Sequence, residues 1–207
     1  NNGCSDTIVK TVTVHPKAMA NFSISRNDRC GPFKVNFTNT SVNGNGLPIT
    51  SMTFKWNFGN GITSTARDTS VTFIASATKD TTYLVQLIAY SNFGCADTTT
   101  KTVRVFPKPK SRFVMSDTAI CSSGIVTLTN TSYPNDTGNI SIMSFVWNFG
   151  NGHTSLNRDE IETFPSSKLQ DTTYTITLYA YSEHGCLDSS SQKLTVHPKP
   201  IDSFSVI

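Results

Sequence analysis

The hexapeptide Trp56-Asn57-Phe58-Gly59-Asn60-Gly61 recurs 91 residues later as Trp147-Asn148-Phe149-Gly150-Asn151-Gly152. The same interval takes Cys30 to Cys121 and Asp80-Thr81-Thr82-Tyr83 to Asp171-Thr172-Thr173-Tyr174. Gly3-Cys4, Gly94-Cys95 and Gly185-Cys186 are three copies of one element, and Pro16-Lys17, Pro107-Lys108 and Pro198-Lys199 are three copies of another. One fixed period over this many landmarks is the signature of a repeat array, in which each copy is a structural unit. The period predicts four pieces: residues 1–15, the last strand of a preceding copy; two whole copies, 16–106 and 107–197; and 198–207, the first strand of a following copy. The chain starts and stops inside the pattern and is expected to be an excerpt of a longer polypeptide.

Within each copy the apolar residues alternate with polar ones, the period of a strand with one buried face. Phe22 and Ile24 open the pattern, matched by Phe113 and Met115 and again by Phe204 and Val206. Val35 and Phe37 correspond to Val126 and Leu128; Phe54, Trp56 and Phe58 to Phe145, Trp147 and Phe149. Tyr83, Val85, Leu87 and Ala89 alternate late in the first copy, as do Tyr174, Ile176, Leu178 and Ala180 in the second. Val103 and Val105, with Leu194 and Val196, close the pattern. Ser, Thr and Asn fill most positions between, and Gly-rich stretches such as Asn43-Gly44-Asn45-Gly46 supply turns. No amphipathic helix is visible. The expectation is an all-β chain of sandwiches arranged end to end, joined by the short, stiff segments Phe106-Pro107-Lys108-Pro109 and His197-Pro198-Lys199-Pro200.

Composition narrows the partners. Hydrophobic residues make up 37% and charged residues 15%, enough apolar surface for a core and too little charge for a disordered tail. The 17 basic residues are scattered, with no basic stripe, which argues against nucleic acid. No apolar run approaches the roughly 18 residues needed to cross a bilayer.

These motifs resemble the PKD family, named for polycystic kidney disease, whose usual signature is Trp-Asp-Phe-Gly-Asp-Gly. The resemblance covers nearly the whole chain: a proline-led first strand, the stretches Phe37–Ser41 and Leu128–Ser132, the Trp motif, and a Tyr-led strand before the last hairpin. It implies an immunoglobulin-like sandwich of about seven strands. Copies containing Gly-Cys-x-Asp look like those of large surface proteins of Bacteroidota-type bacteria, exported by the type IX system. Asn57, Asn60, Asn148 and Asn151 stand where the family has Asp. An amide keeps the turn hydrogen bonds and drops the charge that calcium needs, so this turn is expected to be structural and to hold no metal.

Five cysteines in a chain of this kind point to disulfides. One scheme pairs Cys30 with Cys95 and Cys121 with Cys186 and leaves Cys4 alone. The other pairs Cys30 with Cys186 and leaves Cys4, Cys95 and Cys121 to neighbouring copies. With strands running alternately up and down, Cys30 in the first loop and Cys95 at the last turn lie at opposite ends of one sandwich, on the order of 20 Å apart. A disulfide needs Cα atoms within about 7 Å, which favours Cys30–Cys186.

No catalytic or metal motif stands out. His15 and His197 share a position that Phe106 occupies in the middle copy, while His153 and His184 correspond to Ile62 and Phe93. Positions that accept Phe or Ile are poor candidates for metal ligands. Asp159, Glu160 and Glu162 read as a solvated loop, and Trp56 and Trp147 as core residues. Asp-Thr-x triplets such as Asp97-Thr98-Thr99 match a bacterial O-glycosylation acceptor, although Asp and Thr also favour turns. The expected function is a non-catalytic spacer or stalk in an extracellular adhesin or surface filament, without cofactor. Its expected partners are neighbouring repeats, a further copy in self-association, or a glycan or protein ligand at the cell surface. The alternatives are a glycan- or protein-binding module acting through tip loops, or an accessory array of a secreted enzyme.

Overall fold

The computed structural model describes residues 3–44, 51–135 and 142–200. They form strands β1 (Ala18–Met19), β2 (Phe22–Ile24), β3 (Asp28–Cys30), β4 (Phe33–Asn39), β5 (Val42–Asn43), β6 (Thr53–Asn57), β7 (Thr63–Ser64), β8 (Thr69–Phe73), β9 (Thr81–Tyr90) and β10 (Ala96–Phe106). They continue as β11 (Phe113–Met115), β12 (Ala119–Cys121), β13 (Gly124–Asn130), β14 (Ser144–Asn148), β15 (Thr154–Ser155), β16 (Glu160–Phe164), β17 (Thr172–Tyr181) and β18 (Leu187–His197). Every bound of β2–β4 and β6–β10 returns, 91 residues on, in β11–β18. Among the described residues no helix is long and apolar enough to cross a membrane.

The strands pair in the order β2-β4-β8 and β3-β10-β9-β6-β7, and again as β11-β13-β16 and β12-β18-β17-β14-β15. A three-stranded and a five-stranded sheet of this order make an immunoglobulin-like sandwich. All-β sandwiches are thus the fold of the chain. Two compact units can be separated: Asn1–Asn27, Lys34–Thr72 and Thr82–Val103 in one; Asp28–Phe33, Phe73–Thr81 and Arg104–Ile207 in the other.

Alternation in sequence becomes burial in each unit. Along β4 the pattern is strictly one residue in, one out, from Phe33 to Asn39. In the first unit Phe22, Phe37 and Phe58 surround Trp56, with ring centroids 5.1–5.8 Å from the indole. In the second, residues of both sheets, among them Phe113, Leu128, Trp147, Ile176, Leu178 and Val196, share one core. Trp147 is fully buried, meets Phe113 edge to face at 5.0 Å, and donates its indole N–H to the Asn157 carbonyl at 3.2 Å. That partner removes the cost of burying a polar group; side chains of this size contribute about 3–5 kcal/mol each by truncation.

Several local features depart from the sequence reading. Cys30 was expected in a loop and lies on a strand: β3 pairs in parallel with the end of β10, Cys30 opposite Phe106. Asp159 lies in an exposed bend, as expected, whereas Glu160 and Glu162 are half-buried on a strand. Asp159 accepts the backbone N–H of Asn130 at 2.8 Å, as Asp68 accepts that of Asn39, and Glu160 and Glu162 belong to β16. A carboxylate before this strand tethers the end of its neighbour in both halves. Among the described residues, 3–17 hold no strand. Val12 and Val14 are more than 80% exposed there, whereas the corresponding Val103 and Val105 are fully buried. Among the described residues, none of 3–15 pairs in a ladder, and an unpaired strand has neither ladder nor core to hold it. Asn45 and Gly46 of the Gly-rich turn, and Phe204 and Val206 of the last expected strand, lie outside the described residues.

In the first unit, Asp97 binds the residues on either side of β1. It accepts the Ala20 N–H at 2.9 Å and pairs with Lys17 at 2.7 Å. The Lys17 hydrogen bond, then the Ala20 N–H, hold its carboxyl below the ordinary value of 3.8. A depressed folded value stabilises the fold above pH 3.8, and the contribution is lost as pH falls through the folded value. Asp97→Asn should therefore lower the urea midpoint at pH 7. The gap from the parent should close as the pH is taken below 3.8. A gap that is constant with pH would contradict this.

Candidate functional site

The two Trp-led turns were the first candidates. After β6, the Asn57 side-chain oxygen accepts the Gly59 N–H at 3.0 Å and that of Asn60 accepts the Ile62 N–H at 3.1 Å. After β14, Asn148 accepts from Gly150 at 2.9 Å and Asn151 from His153 at 3.0 Å. All four amide oxygens are thus engaged by the backbone of their own turn. Gly59 and Gly150 sit at φ 73° and 75°, and a Cβ there would lie 2.8 and 2.7 Å from the carbonyls of Leu84 and Thr175. Both the left-handed backbone and the close approach call for glycine. Trp56 and Trp147, flanked by buried Phe58 and Phe149, face the core. Among the described residues, no group of three or more His, Cys, Asp or Glu is gathered to hold a metal.

A second set of residues converges in the second unit. Cys30 and Cys186 form a disulfide with Cα atoms 5.4 Å apart, closing 156 residues of sequence. Cys186 follows the turn between β17 and β18, and His184 of that turn stacks on Phe106 with ring centroids 3.8 Å apart at 20°. Asp80, just before β9, accepts from Arg104 at 2.9 Å and lies 3.8 Å from the His184 imidazole. The Arg104 guanidinium rests 5.1 Å from the Phe106 ring. Two thirds of these side chains come from residues 28–33, 73–81 and 104–106; the rest come from one turn eighty residues farther on, as a long disulfide loop requires.

The alternative scheme, Cys30 with Cys95, is not formed. Cys95 immediately precedes β10, and Cys30 pairs opposite its last residue. Eleven residues of strand separate them, about 35 Å. Cys4, Cys95 and Cys121 are free thiols; Cys4 and Cys121 are exposed and Cys95 is partly exposed.

His184 was not among the sequence candidates. Its role has a counterpart in the first unit, where His15 stacks on Phe93 at 4.0 Å and 14°. Phe93 and His184 share one repeat position; His15 and Phe106 share the other. The two stacks therefore have the same geometry with the rings exchanged. Reading each position by itself hides this; comparing the two positions as a pair exposes it.

No protein-family model matches the chain, and no curated protein matches it. Among solved structures it is similar to the PKD1 domain of Vibrio anguillarum Epp, at 26% identity over 44% of this chain and 96% of that one, with a TM-score of 0.35. It is also similar to the PKD1 domain of the Vibrio cholerae metalloprotease PrtV, at 28% identity over 44% and 98%, with a TM-score of 0.33. A carbohydrate-binding module of the β-sandwich superfamily aligns over 92% of this chain and 88% of its own, at 14% identity and a TM-score of 0.38. At such scores the fold is defined by strand order and burial, and not by these likenesses.

The cluster makes a direct prediction. A non-reduced digest should yield a peptide joining Cys30 to Cys186, and Cys30→Ser or Cys186→Ser should each cost roughly 2–5 kcal/mol in denaturant unfolding. A Cys30–Cys95 peptide, or variants as stable as the parent, would contradict the arrangement.

Proposed function

We propose that this chain is a non-catalytic structural stretch of a large extracellular protein, in which PKD-like copies 16–106 and 107–197 set length and stiffness. The observation that carries the reading is the disulfide cluster. A covalent link between residues of different copies, supported by a ring stack and an ion pair, is of mechanical use and offers no reacting group. A stable disulfide also supports an oxidising compartment, hence secretion or the cell surface. The sequence resemblance supports a bacterial surface adhesin or filament of the Bacteroidota type, carried out by type IX secretion. Neighbouring repeats are the partners this role requires.

Pulling the chain from its two ends tests the role. With the disulfide intact, the residues between Cys30 and Cys186 bear no load. Reduction should release them and lengthen the fully extended chain by about 500–560 Å, at 3.3–3.6 Å for each of 156 residues. Equal lengths before and after reduction would exclude a load-bearing staple.

One observation favours a binding role beside the structural one. In the first unit a cleft of about 690 Å³ beside β6 is lined by Met52, Phe54, Lys55, Arg67 and Tyr90. An aromatic floor with two cations suits a carboxylated glycan. Affinity electrophoresis in an acidic polysaccharide should retard the chain, and Arg67→Ala should abolish the retardation. Unretarded migration of the parent would exclude this reading.

A further inference from the structure

Asn followed by Gly is the pair in which a backbone nitrogen most readily reaches a side-chain amide carbon, because the second residue carries no side chain in the way. Asn43-Gly44, Asn60-Gly61 and Asn151-Gly152 are such pairs; Asn2 and Asn45, which precede two further glycines, lie outside the described residues. The fold treats the three pairs differently. Asn43 is buried, and the Gly44 N–H is donated to the Lys17 carbonyl at 3.2 Å, so one reacting atom is shielded and the other engaged. Gly61 and Gly152 are exposed, with open space where a Cβ would stand. Their N–H groups have no hydrogen-bond partner among the described residues.

The electrophile is prepared in the same way in both Trp-led turns. The Ile62 N–H is donated to Asn60 Oδ1 at 3.1 Å, and the His153 N–H to Asn151 Oδ1 at 3.0 Å. Each bond sits on the oxygen that becomes negative when the amide carbon is attacked. The leaving nitrogen separates the two turns. Asn151 Nδ2 donates to Glu162 Oε1 at 2.8 Å and to the Thr163 carbonyl at 3.4 Å, and Glu162 Oε1 is also 2.9 Å from His153 Nδ1. These acceptors pin the amide plane, and a carboxylate has no proton to give to a departing amine. In the first copy Val71 stands at the position of Glu162 and Ile62 at that of His153. Asn60 Nδ2 accordingly has no partner among the described residues.

We propose that Asn60-Gly61 is a self-modification site, where the Asn60 side chain cyclises onto the Gly61 nitrogen and is hydrolysed to a carboxylate, and that Glu162 protects the equivalent Asn151. The Gly61 nitrogen gives its proton to solvent base and bonds to Asn60 Cγ. The Cγ–Nδ2 bond breaks, the nitrogen takes a proton from water, and ammonia leaves behind a five-membered succinimide. Water then opens the ring at either carbonyl, giving an aspartyl or an isoaspartyl residue at position 60. The sum is amide plus water to carboxylic acid plus ammonia, with no oxidant or reductant. The Trp-led turn of the first copy thereby gains a negative charge, while Asn151 stays neutral.

The test incubates the full chain in mildly alkaline buffer, folded and in urea, and follows both turns by peptide mass spectrometry. In urea the two Asn-Gly pairs should convert at similar rates. In the folded chain Asn60 should convert about tenfold to a hundredfold faster than Asn151, the rate counterpart of one charge-assisted hydrogen bond. Glu162→Val, which installs the residue of the first copy, should bring Asn151 up to the rate of Asn60. Glu162→Gln, which keeps an acceptor oxygen without the charge, should leave Asn151 between the two and serves where Glu162→Val does not fold. Near-ultraviolet circular dichroism of the buried Trp56 and Trp147 verifies folding. The proposal is overturned if folded Asn60 stays intact while the urea sample converts, if Asn60 and Asn151 convert alike in the folded chain, or if a folded Glu162 variant leaves Asn151 as slow as in the parent. None of these outcomes touches the spacer reading, which stands or falls on the pulling measurement.

Discussion

The parallel pairing of Asp28–Cys30 with Arg104–Phe106 is the constraint on which the cysteine cluster depends. Without it the segment after β2 would be a free loop, able to fold back. With it, Cys30 is fixed level with Phe106, at the far end of an eleven-residue strand whose near end follows Cys95. The two thiols of one copy are then held apart by the sheet itself. Strand rigidity, and not any local property of the cysteines, decides which partner is within reach.

Magnitudes rank what holds the cluster. The Arg104–Asp80 pair has side chains 52% and 30% exposed, so solvent screens most of its Coulomb attraction. The Phe106–His184 stack is of a kind that contributes about 0.5–1.5 kcal/mol beyond area burial. The disulfide contributes roughly 2–5 kcal/mol. The covalent bond therefore dominates, and the rings and charges align the two thiols for it.

Most of the fold was legible because a buried strand face writes itself locally, every second residue. The alternation around Trp56 and Trp147 pointed to the core and both side chains are fully buried. Strand direction favoured setting Cys30 and Cys95 apart, but the ladder that fixes Cys30 level with Phe106 was not legible. Features that depend on distant backbone left no such mark. Asp28-Arg29-Cys30 has no alternation, and only its ladder with β10 makes it a strand. Asp68 and Asp159 each accept an N–H from 29 residues away, a contact with no local signature. Residues 3–17 show the converse: Val12 and Val14 carry a strand pattern, but the pattern needs a partner strand to become structure.

The exchanged rings bear on how such a chain can change over time. His15 with Phe93 and Phe106 with His184 are each 78 residues apart, and in each pair one ring is His and the other Phe. Laid copy over copy, both columns look free to vary; what is kept is their combination. Duplicating or transplanting one copy by itself would bring His to His or Phe to Phe at a border.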